Sequence, residues 1–280
     1  MCMHFTRQAP RSALVVLSRS GRSVEIVNLL AQAKKEGVKV IGITNTRDSP
    51  LTETAEAVLM LNATFDHLVS ITMYSALALV GGLLVAAVVG FLNTSLKDEL
   101  DASLLAATRA LDDWNRAISS SDWFSSDQVT YFLARGGSVA SSYEARLLWE
   151  EAAKAPSAVV GTGAFRHGPQ EAVTEGVRFG MWIDAERMRF EDLALAKDLR
   201  KLGGRVLVIG QNLPDDAGDL VLKLPTIIPD WQFLTDIMPA QIAAENLAKV
   251  RGMDCDSFRL CPYVVEFEGG LVTRNAIKNC

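Results

Sequence analysis

Three clusters of residues have the types and spacing that chemistry requires. The first is Leu17-Ser-Arg-Ser-Gly-Arg-Ser23, which sets three hydroxyls and two guanidinium groups between a continuous apolar run and a helix-like stretch. Backbone N–H groups and the helix dipole at a strand-to-helix turn favour an anion, and a phosphate fits there. The same residues also suit a plain helix N-cap, with Ser20 or Ser23 as the capping side chain. The second cluster, Gly161-Thr-Gly-Ala-Phe-Arg-His-Gly-Pro169, holds His167 on a stiff loop between Arg166 and a Gly-Pro turn. A histidine titrating near neutrality suits proton transfer, although a turn histidine with no role fits the same pattern. The third is the pair Glu150 and Glu151. Neighbours on a helix point about 100° apart, so one faces solvent while the other faces a cleft, where a partly buried glutamate can act as a general base. A solvated helix face is the other reading of such a pair.

The composition bounds what these clusters can serve. With 49% apolar and 22% charged residues the chain folds rather than staying disordered, and 280 residues divide naturally into two domains. The net charge is -5, acidic residues are scattered and Lys and Arg form no run, which argues against nucleic acid and against a polybasic membrane patch. Any anionic ligand must therefore be held locally. Cys2, Cys255, Cys261 and Cys280 form no CxxC pair and only three histidines accompany them, so neither a metal nor another cofactor is expected. The first residues carry charge and a proline where a signal peptide needs its apolar core, and a reducing cytoplasm is the expected location. Between Leu68 and Leu96 no side chain is charged, and Met73–Leu92 is long enough to span a bilayer. Alanine and glycine dilute that run, no Lys/Arg cluster brackets it, and α/β repeats flank it, so a buried core helix and no membrane partner are expected.

The elements that must position the clusters follow from periodicity. Ser12–Ser18, Val38–Thr44 and Ala57–Leu61 have the apolar continuity of buried strands, with helices at Val24–Glu36 and Pro50–Glu56 between them. Gly37 stops the first helix where a left-handed cap is wanted. A helix after Lys97 leads to the serine-rich Ser119–Ser126, where a domain boundary is expected. Strands are then predicted at Val129–Ala134, Ala158–Gly161, Arg178–Ile183, Arg205–Gly210 and Leu220–Leu224, with helices around Ala145–Glu151, Glu186–Leu202 and Trp231–Val250. Strands of this kind alternating with helices imply parallel sheets covered on both faces, a doubly wound α/β class, and the two halves share that plan in the manner of an internal duplication.

Ser18-Arg-Ser-Gly-Arg-Ser-Val-Glu25 resembles the S-x-S-G-x-[ST]-x-[DE] signature of the sugar isomerase (SIS) domain family. Phe165-Arg-His-Gly-Pro-Gln170, with Glu151 upstream, resembles the second such domain in the isomerase half of glucosamine-6-phosphate synthase and of phosphosugar deaminases and isomerases. Arg251-Gly-Met-Asp-Cys-Asp-Ser-Phe-Arg259 resembles their closing R-G-x-D-x-D-x-P-R tail. The resemblance implies α/β architecture with two doubly wound, flavodoxin-like SIS modules. Residues 1–96 would form the first module, 97–127 a linker helix and break, 128–266 the second module and 267–280 a tail. The first module would lack its initial helix, strand and G-[ST]-S turn, as a start codon placed too late would produce.

By motif position the resemblance implies that Ser18, Arg19, Ser20, Ser23 and Thr72 hold a sugar phosphate, with Arg19 where glutamine is common. Thr72 closes the stretch Asp66-His-Leu-Val-Ser-Ile-Thr72, in which Asp66 replaces a glutamate. Glu151 would move a proton between C1 and C2, and His167, from the neighbouring subunit of a homodimer, would assist ring opening. Arg259 and Tyr263 mark the tail. Tyr263 stands where the synthases carry a lysine and Ala164 where a glutamate is common, so an imine is not expected at that position. The expected activity is isomerisation or deamination of an amino- or amine-linked hexose 6-phosphate. A non-catalytic phosphosugar sensor is the alternative.

Overall fold

The computed structural model describes residues 12–226 and 228–269. The chain divides into two compact units, one up to Gly90 together with the described residues from Ser257 onward, the other Phe91–Asp256.

In the first unit β1 (Ala13–Leu17), β2 (Lys39–Thr44) and β3 (Ala57–Met60) form a parallel sheet in that order. The crossovers are α1 (Val24–Lys35) and α2 (Pro50–Thr54), and α3 (Thr72–Val88) follows the last strand. Val16 and Val40 pack with Leu29, Leu30 and Ala33 of α1 and Leu51 of α2, which buries one face of the sheet. Alternate residues of β1 point the other way, and a Cβ on Gly81 of α3 would come within 3.0 Å of Leu17. Ser49 opens α2 with a reciprocal capping box, its Oγ accepting from the Thr52 N–H while the Thr52 hydroxyl accepts from the Ser49 N–H. The uncharged stretch expected to form a buried core helix is α3, in which Met73 and Ala86 are buried but Val85 and Val88 are exposed, and among the described residues no helix is long and apolar enough to cross a membrane. A C-terminal segment returns to this unit, where Val265 O accepts the N–H of Val24 at 2.9 Å.

The second unit carries β4 (Thr130–Ala134), β5 (Ser157–Gly161), β6 (Arg178–Trp182), β7 (Arg205–Gln211) and β8 (Leu220–Leu224) in one parallel sheet ordered β5-β4-β6-β7-β8. The order reverses at β4, the mark of a doubly wound sheet. Its helices are α4 (Thr94–Ser119), α5 (Ser138–Glu151), α6 (Thr162–Phe165), α7 (Arg189–Lys201) and α8 (Met238–Val250). Residues 97–127, expected as linker helix and break, lie within this unit. Leu100, Ser103, Ala107, Trp114 and Ile118 recur at helical spacing along the buried stripe of α4, and the Trp114 indole N–H donates to Lys223 O of β8 at 2.9 Å. This stripe covers the β8 edge of the sheet.

One expectation needs correction. The helix predicted over Trp231–Val250 is a 3-10 turn at Pro229–Leu234 and then α8, because Pro239 at the start of α8 has no N–H to continue a helix from the preceding turn. The first sheet has three strands and the second five among the described residues, at the positions predicted for each.

The central strand β6 depends on a missing side chain. A Cβ on Gly180 would lie 2.6 Å from the Phe132 ring, which itself packs edge-on to Trp149 at 4.9 Å. Gly180→Ala is expected to destabilise the chain by about 1–3 kcal/mol, the range for overpacking a filled core, read as a lower urea midpoint at unchanged slope.

Candidate functional site

Ser18, Arg19, Ser20 and Ser23 occupy the turn from β1 to α1 and are all half-buried. Gly21 takes φ +62° there, and a Cβ at this position would stand 2.6 Å from Ser49 Oγ, so the turn requires glycine. Ser18 Oγ accepts the Gly21 N–H at 3.1 Å and Ser20 Oγ accepts the Arg22 N–H at 3.3 Å, which coils the turn upon itself. Ser23 is the N-cap residue of α1 yet makes no side-chain cap bond. The plain capping alternative therefore does not describe this turn. Thr44 and Thr46 hydroxyls each donate to Arg19 O at 3.0 Å, anchoring the turn to the loop after β2.

A second segment of the same unit meets this turn. Arg19 Nη1 donates to Ser70 Oγ at 3.1 Å, and its guanidinium lies over the Phe65 ring at 5.3 Å. The expected phosphate-binding residues of the serine turn and the stretch ending at Thr72 are thus joined. Asp66 has a role that the sequence did not signal beyond its place in the motif. Its carboxylate accepts N–H bonds from Ile71, Thr72 and Met73 at 3.0, 3.2 and 2.8 Å, so it closes the start of α3 with the chain's own negative charge. Arg259 and Tyr263 are exposed on the returning C-terminal segment, where Tyr263 O accepts from Cys261 Sγ at 3.4 Å.

Glu151 and His167 belong to the second unit. Glu151 is half-buried at the last residue of α5, while Glu150 beside it is exposed and pairs with Arg146 at 3.7 Å. The adjacent carboxylates therefore divide as a helix requires, one to solvent and one inward. His167 is exposed in the turn after α6, its N–H donating to Ala164 O at 3.0 Å, and Gly168 takes φ +127° to release the chain into Pro169.

Glu144 was not singled out from the sequence, although it lies seven residues before Glu151 on α5 and so shares its helix face. Burial, and secondarily the Glu151 charge, push its carboxyl up to about 7. The signal was available in that spacing alone. Two further buried groups hold the loops around α5. Asp236 is fully buried and accepts from Ser138 Oγ at 2.7 Å and Ser141 Oγ at 2.5 Å; burial pushes it up to about 6 against those hydrogen bonds. Arg135, just after β4, pairs with buried Asp192 at 2.8 Å, and the other Asp192 oxygen accepts the Asp184 N–H at 3.2 Å. That pair fills the crevice at the ends of β4 and β6 where doubly wound sheets usually take ligands.

A parallel doubly wound sheet with hydroxyl-rich and carboxylate-bearing βα turns defines a class that comparison makes specific. Residues 5–88 match the SIS domain family. It is 24% identical over 261 residues to a glutamine--fructose-6-phosphate aminotransferase [isomerizing] of Thermus thermophilus, covering 89% of this chain and 43% of the relative. A protein of the same description from Leifsonia xyli is 25% identical over 264 residues, covering 88% and 42%. The chain thus spans less than half the length of the curated relatives it matches. Among solved structures, the C-terminal domain of glucosamine-fructose-6-phosphate aminotransferase from Francisella tularensis superposes with a TM-score of 0.77 at 20% identity, over 90% of this chain and 75% of that one. Tagatose-6-phosphate ketose/aldose isomerase from Escherichia coli gives 0.74 at 23% identity, over 91% and 72%. These structural likenesses establish the fold.

The raised Glu144 carboxyl has a consequence for stability. Below its ordinary value of 4.5 it is protonated in folded and unfolded chains alike; from there to about 7 the unfolded chain releases a proton that the folded chain keeps, so stability falls as pH rises through that window. Glu144→Gln is expected to lose this fall. Its denaturation midpoint relative to the unsubstituted chain should climb between about pH 5 and about pH 8, and a constant difference would show that Glu144 titrates normally.

Proposed function

We propose that the chain is a phosphosugar isomerase or deaminase acting on an amino- or amine-linked hexose 6-phosphate through an enediol or enolamine. The observation that carries this reading is the half-buried Glu151 at the end of α5, close enough to Glu144 for its charge to help hold the Glu144 proton in place. A carbon acid needs a base partly withdrawn from water, and the half-buried Glu151 meets that need.

In this reading Ser18, Ser20, Ser23 and Thr72 supply hydroxyls, and Arg19 positive charge, to the substrate phosphate. The phosphate is remote from the reacting carbons, so its grip supplies binding energy that the proton transfer can use. Glu151 removes the proton from one of C1 and C2 and returns it to the other. His167 serves the ring oxygen during opening, and its exposure is consistent with delivery across a homodimer. Two SIS modules, the first reaching to about residue 96 and the second spanning 128–266, and a cytoplasmic setting complete the proposal. The relatives named as an aminotransferase and a ketose/aldose isomerase support phosphosugar chemistry of this kind.

A second reading, a phosphosugar sensor without turnover, draws on Tyr263 and Ala164 at positions where the synthases carry lysine and glutamate. A proton NMR time course in D₂O with glucosamine 6-phosphate and fructose 6-phosphate separates the two. Exchange of the C1 or C2 proton, with or without ammonia release, is expected of the enzyme; unchanged proton signals with broadened lines identify the sensor. Glu151→Gln should lower kcat by about 10²–10⁴-fold with little change in ligand affinity, as removal of a general base does. Replacing Ser18 and Ser20 by alanine should instead raise KM, and an unchanged KM would remove the phosphate from that turn.

A further inference from the structure

The N-terminal rim of the five-stranded sheet gathers donors that lack acceptors. Thr130 begins β4, Arg178 begins β6 and Arg205 begins β7, and the three are register partners on adjacent strands. Register partners in a parallel sheet point to the same face. That face is shared by Phe132, two residues beyond Thr130, and is roofed by Trp149 of α5, whose ring lies 4.9 Å from Phe132. Trp123 closes the side, 6.5 Å from Trp149 and 5.5 Å from the Arg178 guanidinium carbon.

Arg178 is 0% exposed. Its Nη2 donates to Gln128 O at 3.0 Å, while Nε and Nη1 have no partner. Thr130 Oγ1, Trp149 Nε1 and Arg205 Nε are buried and unpartnered as well. A buried donor without an acceptor is costly, and a buried cation without an anion more so. The carboxylates nearby relieve it only in part, the Asp127 charge opposing the larger effect of burial. Arg205 pairs with Asp122 at 2.7 Å and Arg251 with Asp127 at 3.7 Å, but both carboxylates lie at the surface, 82% and 97% exposed. Arg251 adds a third guanidinium whose charge, after burial itself, pushes Arg178 down to about 10.

We propose that this rim binds a small monoanion of halide size, held by an unpartnered N–H of the Arg178 guanidinium together with Thr130 Oγ1 and Trp149 Nε1. Negative charge is favoured by a buried guanidinium whose carboxylate neighbour Asp127 is 97% exposed. Small size follows from the enclosing Trp123, Phe132 and Trp149 rings, and a sphere accepts donors from several directions without the fixed lone-pair geometry of a carboxylate. Water accepts at most two such bonds and leaves the charge unmatched. The site ties the start of three strands to α5, the helix that carries Glu144 and Glu151, and it stands independently of the catalytic reading.

The test is thermal unfolding of the full chain at constant ionic strength while sodium gluconate, too bulky to enter, is exchanged for sodium chloride. The expected result is a saturable rise in Tm of about 3 °C at ten times the dissociation constant. Bromide should reproduce it, and Thr130→Val and Arg178→Gln should weaken or abolish it. Chloride NMR on the unsubstituted protein supplies a readout that does not depend on either variant folding: the line should broaden with protein and sharpen again on adding bromide. Equal Tm in the two salts with an unbroadened chloride line overturns the proposal and assigns the donors to water. A chloride response that survives Arg178→Gln in a folded variant overturns it too.

Discussion

Parallel strand pairing is the constraint on which the arrangement depends. Each strand must be followed by a crossover before the next can pair, so every turn leaving a strand emerges at the same edge of its sheet. The Ser18–Ser23 turn, Arg135 and the Thr162–Gly168 segment are all turns of this kind, following β1, β4 and β5. Within each unit, residues far apart in sequence reach the rim of their own sheet without any contact having to recruit them. What differs among the turns is how their polar groups are satisfied. In the serine turn the hydroxyls bond to their own backbone and keep further acceptor capacity, whereas at the ends of β4 and β6 Arg135 and Asp192 satisfy each other.

Buried polar groups fix α5 more tightly than its apolar face could. Ser138 and Ser141, one turn apart, both donate to Asp236, and the Trp182 indole N–H bonds the Asp236 backbone carbonyl at 3.0 Å. Apolar packing tolerates small sliding of a helix, but two hydroxyls on one carboxylate accept a single axial position. The far end of the same helix carries Glu151, so its placement derives from hydrogen bonds made about three turns away. A raised carboxyl at Asp236 indicates that this order is maintained against the cost of burial.

Much of this was legible in the sequence because periodicity and turn chemistry are local. The apolar continuity of Ala13–Leu17 and Arg205–Gln211 announced buried parallel strands, and Gly37 marked the end of α1 with its positive φ of 68°. The serine turn and the inward/outward division of Glu150 and Glu151 were likewise visible, since neighbouring residues on a helix cannot face the same way. What was not legible depends on the third dimension. Nothing local distinguishes Asp236 from a surface aspartate, and only tertiary packing sets it on two serines ninety-five and more residues earlier. The break before α8 was missed because the apolar pattern runs through it, although Pro239 was the available clue. Residues 97–127 looked like a connector because a long amphipathic helix announces a buried face without naming its partner; that partner is α8 and β8.

The cap on α3 changes what the first unit can recognise. A helix start ordinarily offers free N–H groups to an incoming anion, but here three of them are committed to Asp66. That corner presents a carboxylate with lone pairs left over, so these N–H groups are not offered to a phosphate. Positive potential must then come from Arg19, held a few ångströms away by Ser70 and Phe65. An uncharged glutamine at position 19 would leave the corner anionic. The arginine and the aspartate therefore form one electrostatic unit.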